Sequence, residues 1–235
     1  MARSIYISRK SMDKKAKITI ILVTYNRPDM FKEAYQSIVN QTMQDWEMII
    51  VENGIPKTMA NYVEAMNITD PRVRIIKHEE NINNISYCWN EALDMVRTEY
   101  WASLDDDNTK YPQFCEKMVE YLDSYPEKDA VVCAMEHTGQ TSGTHFQKPQ
   151  DWRHLKLTNT IDSGQVVWRK SLLEKIGNFD ERLIALEDWD YMIRAFTLND
   201  KSGSIFGWLN LSLCSYRWHP SKRMYSPEIT KIVHD

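Results

Sequence analysis

The sequence predicts a single α/β domain built on a mostly parallel sheet with helices on both faces. Short, continuous runs of apolar and β-branched residues, the mark of strands buried on both faces, alternate with stretches of helical apolar spacing. Strand and helix recur about every 25 to 30 residues, the signature of strand–helix–strand units. The segments that follow three of the strands are polar, and ligands on such sheets bind beyond the carboxyl ends of the strands.

The elements follow in order. Residues 18–25 (ITIILVTY) form the first buried strand. Asn26-Arg27-Pro28-Asp29 then signals a helix start, with Pro near the first turn. Met30, Phe31, Ala34, Tyr35, Ile38 and Val39 recur at helical spacing. Residues 47–51 (EMIIV) make a second strand ending at Glu52-Asn53-Gly54, and residues 58–66 read as a helix. A third strand covers 73–78 and another helix 86–96. A fourth strand, 100–104 (YWASL), runs straight into Asp105-Asp106-Asp107-Asn108. Pro112 and the Phe114, Met118, Val119, Leu122 series predict a helix, and residues 130–135 a fifth strand. Periodicity is lost over 136–160, which reads as a long loop or lid. Beyond it come a short strand at 165–169, a short helix at 171–175, a firmer helix at 188–197, and one or two strands in 205–216. Residues 2–17 carry six basic residues and one acid with little apolar periodicity. They read as a loose basic leader (1–17) ahead of a domain over 18–235, and peripheral membrane contact stays open.

Composition excludes several classes. The 235 residues are 43% apolar and 26% charged, so the chain is globular rather than disordered. No apolar run is long enough to span a bilayer. A net charge of −4 argues against a nucleic-acid binder. Only 7 glycines are present, and none forms a dinucleotide fingerprint or a P-loop. Any bound phosphate must therefore be neutralised by something other than a glycine-lined nest. The 4 cysteines are scattered, without paired spacing, and Cys133 reads as a buried small hydrophobe. With no apolar signal-peptide core at the start, the expected setting is reducing and cytoplasmic.

Asp105-Asp106-Asp107 is the first candidate constellation. In an extended chain Asp105 and Asp107 share one side while Asp106 faces another way. An acidic triplet is commonly a solvated loop, but this one stands at the carboxyl end of a buried strand. Hard carboxylate oxygens there suit Mg²⁺ or Mn²⁺ bridged to a substrate diphosphate. Glu187-Asp188-Trp189-Asp190 is the second. On a helix Asp188 and Asp190 diverge by about 200° and cannot share a site. Acids in a first helical turn are also ordinary dipole partners.

ITIILVTYNRP, SIVNQT, EMIIVENG, ASLDDDNTKYP and the GNFDERL…EDWDYMIR stretch together resemble a family 2 glycosyltransferase of GT-A fold, a Rossmann-like architecture. The resemblance covers residues 18–123 and 162–194, echoes weakly at 216–221, and fails across 136–160. It implies a metal-dependent, inverting transfer from a nucleotide-diphosphate sugar to a glycan or lipid-linked acceptor, with residues 18–135 as the donor half and 136–235 as the acceptor half. Asp107 would ligate the metal, Mn²⁺ or Mg²⁺. Asp105 or Asp106 would hold the ribose or the metal's water shell. Val23, Thr24 and Tyr25 match the segment lining the nucleobase. Glu52-Asn53 replaces the two aspartates of many members; Asn53 can accept from a pyrimidine N–H but also donates, and a UDP- or dTDP-sugar is favoured. Asn81-Ile82-Asn83 lacks the glycine usual in the family's N-x-G element. Gly164 resembles the small residue beside the donor sugar, and Asp188 takes the place of the catalytic base. Glu187 could orient the acceptor, while Arg194 reads as an ion-pair partner on the same helix. His219 stands where some members close a histidine over metal or diphosphate. Tyr87, Trp89 and Asn90 read equally as packing residues or donor contacts, and Trp152, Trp189 or Trp218 could stack on a sugar. Two rival readings are a sugar nucleotidyltransferase, which would want a glycine-rich loop where TYNRPD stands, and a non-catalytic binding module, which needs no base.

Overall fold

The computed structural model describes residues 5–7, 16–54, 61–145, 152–183, 185–198 and 205–219. Its strands are β1 (Ile5–Ile7), β2 (Ile18–Thr24), β3 (Trp46–Glu52), β4 (Val73–Lys77), β5 (Tyr100–Asp105), β6 (Thr109–Lys110), β7 (Ala130–Gly139), β8 (Gly143–His145), β9 (Val166–Arg169) and β10 (Phe206–Trp218). The helices are α1 (Pro28–Val39), α2 (Tyr62–Ala65), α3 (Ile85–Leu93), α4 (Phe114–Ser124), α5 (Trp152–Leu157), α6 (Lys170–Ile176) and α7 (Glu187–Phe196), with a 3₁₀ turn at Ser163–Gln165.

All ten strands join one sheet in the order β1-β4-β3-β2-β5-β9-β7-β10-β6, with β8 hanging on β7. β4, β3, β2 and β5 run parallel, as do β7 and β10, whereas β9 lies antiparallel between β5 and β7. The fold is thus mixed α/β with a mostly parallel sheet, as the alternation predicts.

The strand period of two sorts the core onto two faces. Ile21, Val23, Ile49 and Val51 face Trp89, Leu93, Met192 and Phe196 of α3 and α7. Ile20, Leu22, Met48 and Ile50 face Phe31, Ile38, Met118 and Leu122 of α1 and α4. A strand with helices on both sides needs apolar residues at every position, which is why β2 and β3 carry nearly unbroken aliphatic runs.

Three expectations change. The stretch over 136–160 is not one loop: β7 continues to Gly139, β8 folds back on it, and α5 follows. Polar side chains hide these elements because their outer ends leave the core and lose apolar periodicity. Residues 5–7 of the basic leader pair antiparallel with β4, since an edge strand is held by backbone hydrogen bonds that need no apolar pattern. The helix expected over 58–66 is a single turn at Tyr62–Ala65, with residues 58–60 outside the described residues. The cysteines, distant in sequence, include one close pair: Cys133 and Cys214 on adjacent β7 and β10 bring their sulfurs to 3.7 Å.

Candidate active site

The carboxyl ends of β2, β3 and β5, the loop after β4 and the start of α7 enclose an open cavity of about 570 Å³. Its walls bring together Val23, Tyr25, Asn53, Asp105, Asp106, Asp107 and Asp188, all predicted from the sequence.

The first wall begins where β2 ends. Asn26 adopts a left-handed backbone, φ 58°, which asparagine tolerates better than most residues, and Pro28 opens α1. The chain therefore turns sharply at Arg27 and holds it at the cavity mouth. Tyr25 is 39% exposed there, an aromatic face open to a ligand. Gly54, at the end of β3, has φ 73°, and a Cβ on it would meet the Asn81 nitrogen at 2.4 Å. That close approach seats the 81–84 loop on the β3 end. Asn53 Oδ1 accepts the Ile82 N–H at 3.0 Å and its Nδ2 donates to Asn81 at 3.2 Å. The amide is thus partly committed to shaping the loop in which the usual glycine is missing.

The acidic triplet departs from the expected alternation. β5 ends at Asp105 and the chain turns at Asp106 and Asp107, so the strand period no longer applies and all three line the cavity. Asp106 is buried and held from three directions. It accepts from the Thr24 hydroxyl at 2.9 Å, the Tyr25 N–H at 3.0 Å and Arg27 Nη1 at 2.8 Å. Burial nevertheless pushes its pKa up, since loss of water outweighs the Arg27 charge. Asp107 Oδ2 meets Arg27 Nη1 at 3.0 Å and His219 Nε2 at 3.1 Å. Asn108 Oδ1 accepts the Arg217 N–H at 2.9 Å and so fastens the end of β10, with His219, beside the triplet.

The second acidic cluster opens α7. Leu186, the N-cap, has φ 60°, a left-handed conformation that is strained for a leucine and typical of over-determined functional turns. Asp188 follows on the cavity side. Its Oδ1 accepts the Trp189 N–H at 2.8 Å. Burial first, then the neighbouring Glu187 and Asp162, push its pKa well above the usual aspartate range. Asp190 points away and pairs with Arg194 at 2.8 Å, as the helical divergence and the expected ion pair require.

Four candidates do not line the cavity: Thr24, Glu52, Gly164 and His219, the last bonded to Asp107. Thr24 is buried against Asp106 and Tyr62; Glu52 is buried, with Asn61 donating to it at 3.3 Å. Gly164 lies under the floor, its carbonyl accepting from buried Lys110, while neighbouring Asp162 and Ser163 line the wall. Thr24 and Glu52 are buried and support the wall rather than form it, and Gly164 has no side chain to present. Asn90 resolves as a packing amide, bonded through both ends to the backbone of Phe179. Trp189 is buried, its indole donating to the Leu155 carbonyl. Trp218 is half-buried beside His137 and Tyr216, and the Trp152 side chain lies outside the described residues.

Sequence reasoning missed Arg27 and Asp162. Arg27 had a signal: a lone cation just beyond a strand that neighbours three acids. Asp162 had none, because only the antiparallel insertion of β9 carries it to the cavity.

Among the described residues no three His, Cys, Asp or Glu side chains converge as a self-sufficient metal site. Asp107 and His219 nonetheless offer a carboxylate and an imidazole 3.1 Å apart. Such a pair fits Mg²⁺ or Mn²⁺ that takes its remaining ligands from a diphosphate and water.

TarS of S. aureus shares this architecture. Its 1-349 form in complex with UDP-GlcNAc superposes with a TM-score of 0.73 at 16% identity, over 92% of this chain and 65% of that one. The mannosyltransferase PcManGT of Pyrobaculum calidifontis, in complex with GDP-Man and Mn²⁺, gives 0.64 at 17% identity over 89% and 59%. In sequence, an uncharacterized glycosyltransferase of Methanocaldococcus jannaschii is 27% identical over 94% of this chain and 76% of its own length. The chain spans only 47% of another such protein, from Haemophilus influenzae. The model of glycosyl transferase family 2 matches residues 19–179, which include the triplet and the ends of β2 and β3 but stop before Asp188; the chain belongs to that family.

Proposed function

We propose that the chain is a metal-dependent, inverting transferase that moves a sugar from a nucleotide-diphosphate donor to a hydroxyl of a glycan or lipid-linked acceptor. The observation that carries this reading is the pairing, in one cavity, of a compensated acidic triplet with a separate, uncompensated Asp188.

Asp188 is the catalytic base. It takes the proton of the acceptor hydroxyl as that oxygen attacks the anomeric carbon, and the bond from that carbon to the diphosphate breaks, its electron pair leaving with the nucleoside diphosphate. A raised pKa brings the carboxylate closer to the operating pH and makes it a stronger base than an ordinary aspartate. Asp107 and His219 hold the divalent cation, which when bound offsets the charge growing on the leaving group. Tyr25 and Val23 support the nucleobase. Because Asn53 retains acceptor capacity toward a base N–H, UDP or dTDP remains the preferred nucleotide, although PcManGT was solved with GDP-Man. Buried, free cysteines suit a reducing, cytoplasmic setting.

Thermal shifts with UDP, dTDP and GDP, each with Mn²⁺ and with EDTA, test the reading. Stabilisation by UDP or dTDP that needs Mn²⁺ is expected, followed by Mn²⁺-dependent hydrolysis or transfer from the matching sugar nucleotide. Full turnover in EDTA would remove the metal, and preferential stabilisation by GDP would overturn the pyrimidine assignment.

A further inference from the structure

Arg27 has no task in the reading above, yet it occupies a decisive place. Its Nη1 lies 2.8 Å from Asp106 Oδ1 and 3.0 Å from Asp107 Oδ2. One nitrogen thus bridges two adjacent carboxylates. The two attachments are unequal in kind. Asp106 is locked, because the Thr24 hydroxyl and the Tyr25 N–H hold its other oxygen. Asp107 is held at Oδ2 by the guanidinium and by His219 alone among the hydrogen bonds seen to it. Asp107 Oδ2 is also the oxygen that meets His219 Nε2, at 3.1 Å, so a cation held by that carboxylate and that imidazole would sit beside the guanidinium. A guanidinium and a divalent ion at one carboxylate repel each other, the more so because Asp107 is largely shielded from water.

We propose that Arg27 is the resident counter-ion of the acidic triplet and competes with the divalent cation for Asp107. In the metal-free chain it suppresses repulsion between Asp106 and Asp107. When the cation enters, Arg27 gives up Asp107 and keeps Asp106. Metal affinity is in this way held down by a charge that the chain itself supplies. The backbone turn at Asn26–Pro28 serves this arrangement by fixing where the side chain starts.

The inference rests on the reading of Asp107 and His219 as metal ligands, and the test separates the two. Mn²⁺ alone is titrated into the full chain, as wild type, Arg27→Gln and Arg27→Lys, with free ion read by electron paramagnetic resonance; the same proteins are melted in EDTA. Arg27→Gln should melt lower in EDTA yet bind Mn²⁺ at least about tenfold more tightly, the effect of removing one positive charge beside the ligand oxygen. Arg27→Lys, which keeps the charge but reaches one carboxylate, should tighten binding by a smaller factor. Equal or weaker Mn²⁺ binding by Arg27→Gln than by the wild type would overturn the competition and leave the metal reading standing. If Arg27→Gln does not fold, Arg27→Lys decides: unchanged or weaker binding overturns the proposal. Absence of Mn²⁺ binding in all three proteins would overturn the metal reading itself, and the competition with it.

Discussion

The two acidic clusters of the cavity are built on opposite electrostatic terms. Around Asp105-Asp106-Asp107 the protein supplies counter-charge and donors: Arg27 on two carboxylates, His219 on one, the Thr24 hydroxyl and the Tyr25 N–H on a third oxygen. Around Asp188 it supplies burial and more acid, Glu187 and Asp162, against a single N–H from Trp189. The first arrangement sets counter-charge and donors against the burial that raises the Asp106 pKa, and so holds the carboxylates in place. The second penalises the ionised form and raises affinity for a proton, the property that the proposed base would use. Charge count alone would call both clusters acidic; their surroundings give them different chemistry.

The comparison is broken most severely at Asp106. Asp106→Ala would remove the acceptor of the Tyr25 N–H and one acceptor each of the Arg27 guanidinium and the Thr24 hydroxyl. We expect a loss of about 3 kcal/mol, the low end for breaking a buried pair, since Arg27 is itself partly open to water. Urea denaturation measures it, and a change below about 1 kcal/mol would mean that the triplet is not compensated as described.

Next comes Asp188. Asp188→Asn should reduce turnover by at least about a hundredfold while donor binding is retained, because an amide cannot take the hydroxyl proton. Near wild-type transfer by a folded variant would shift the role to Glu187 or Asp162. Asp107→Asn tests the other cluster. It keeps one oxygen but loses the charge, so the Mn²⁺ concentration needed for UDP to stabilise the chain should rise about tenfold. An unchanged requirement in a melt series would take Asp107 out of the ligand set.

The smallest effect sharpens the contrast through pH. A folded-state pKa raised at Asp188 means that the native chain holds a proton which the unfolded chain releases near the ordinary aspartate value, about 3.9. Wild-type stability attributable to this group is therefore present at low pH and lost as pH rises through the raised value. Asp188→Asn should melt like the wild type below that window and higher above it, so the difference in melting temperature grows with pH and then levels. A variant that melts lower at neutral pH would show that Asp188 is stabilised as a charge. The same raised pKa places the acid limb of the transfer rate above the ordinary aspartate range.

How much was legible divides along the same line. β2, β3 and β5 could be read from their aliphatic runs, because a strand covered on both faces has no polar position to spare. The triplet's place at the end of β5 followed directly, as did the divergence of Asp188 and Asp190, since local geometry is set within a few residues. The 136–160 stretch resisted, because β8 and the outer half of β7 are held by backbone pairing over polar side chains, which carry no periodic signal.

The sequence by itself determined the layered α/β plan, the edge of the sheet at which the cavity lies, and the two acidic clusters on it. Periodicity and strand-end composition are local properties, and those features need no others. Only the tertiary structure decided what each acid meets. Arg27 reaches Asp106 and Asp107 across 79 and 80 residues, and His219 reaches Asp107 across 112, through the neighbouring placement of β2 and β5 and the bonding of the β10 end to Asn108. Asp162 comes near Asp188 because β9 enters the sheet antiparallel, a choice made by packing against β5 and β7. Electrostatic environment depends on neighbours in space, and these neighbours are distant along the chain.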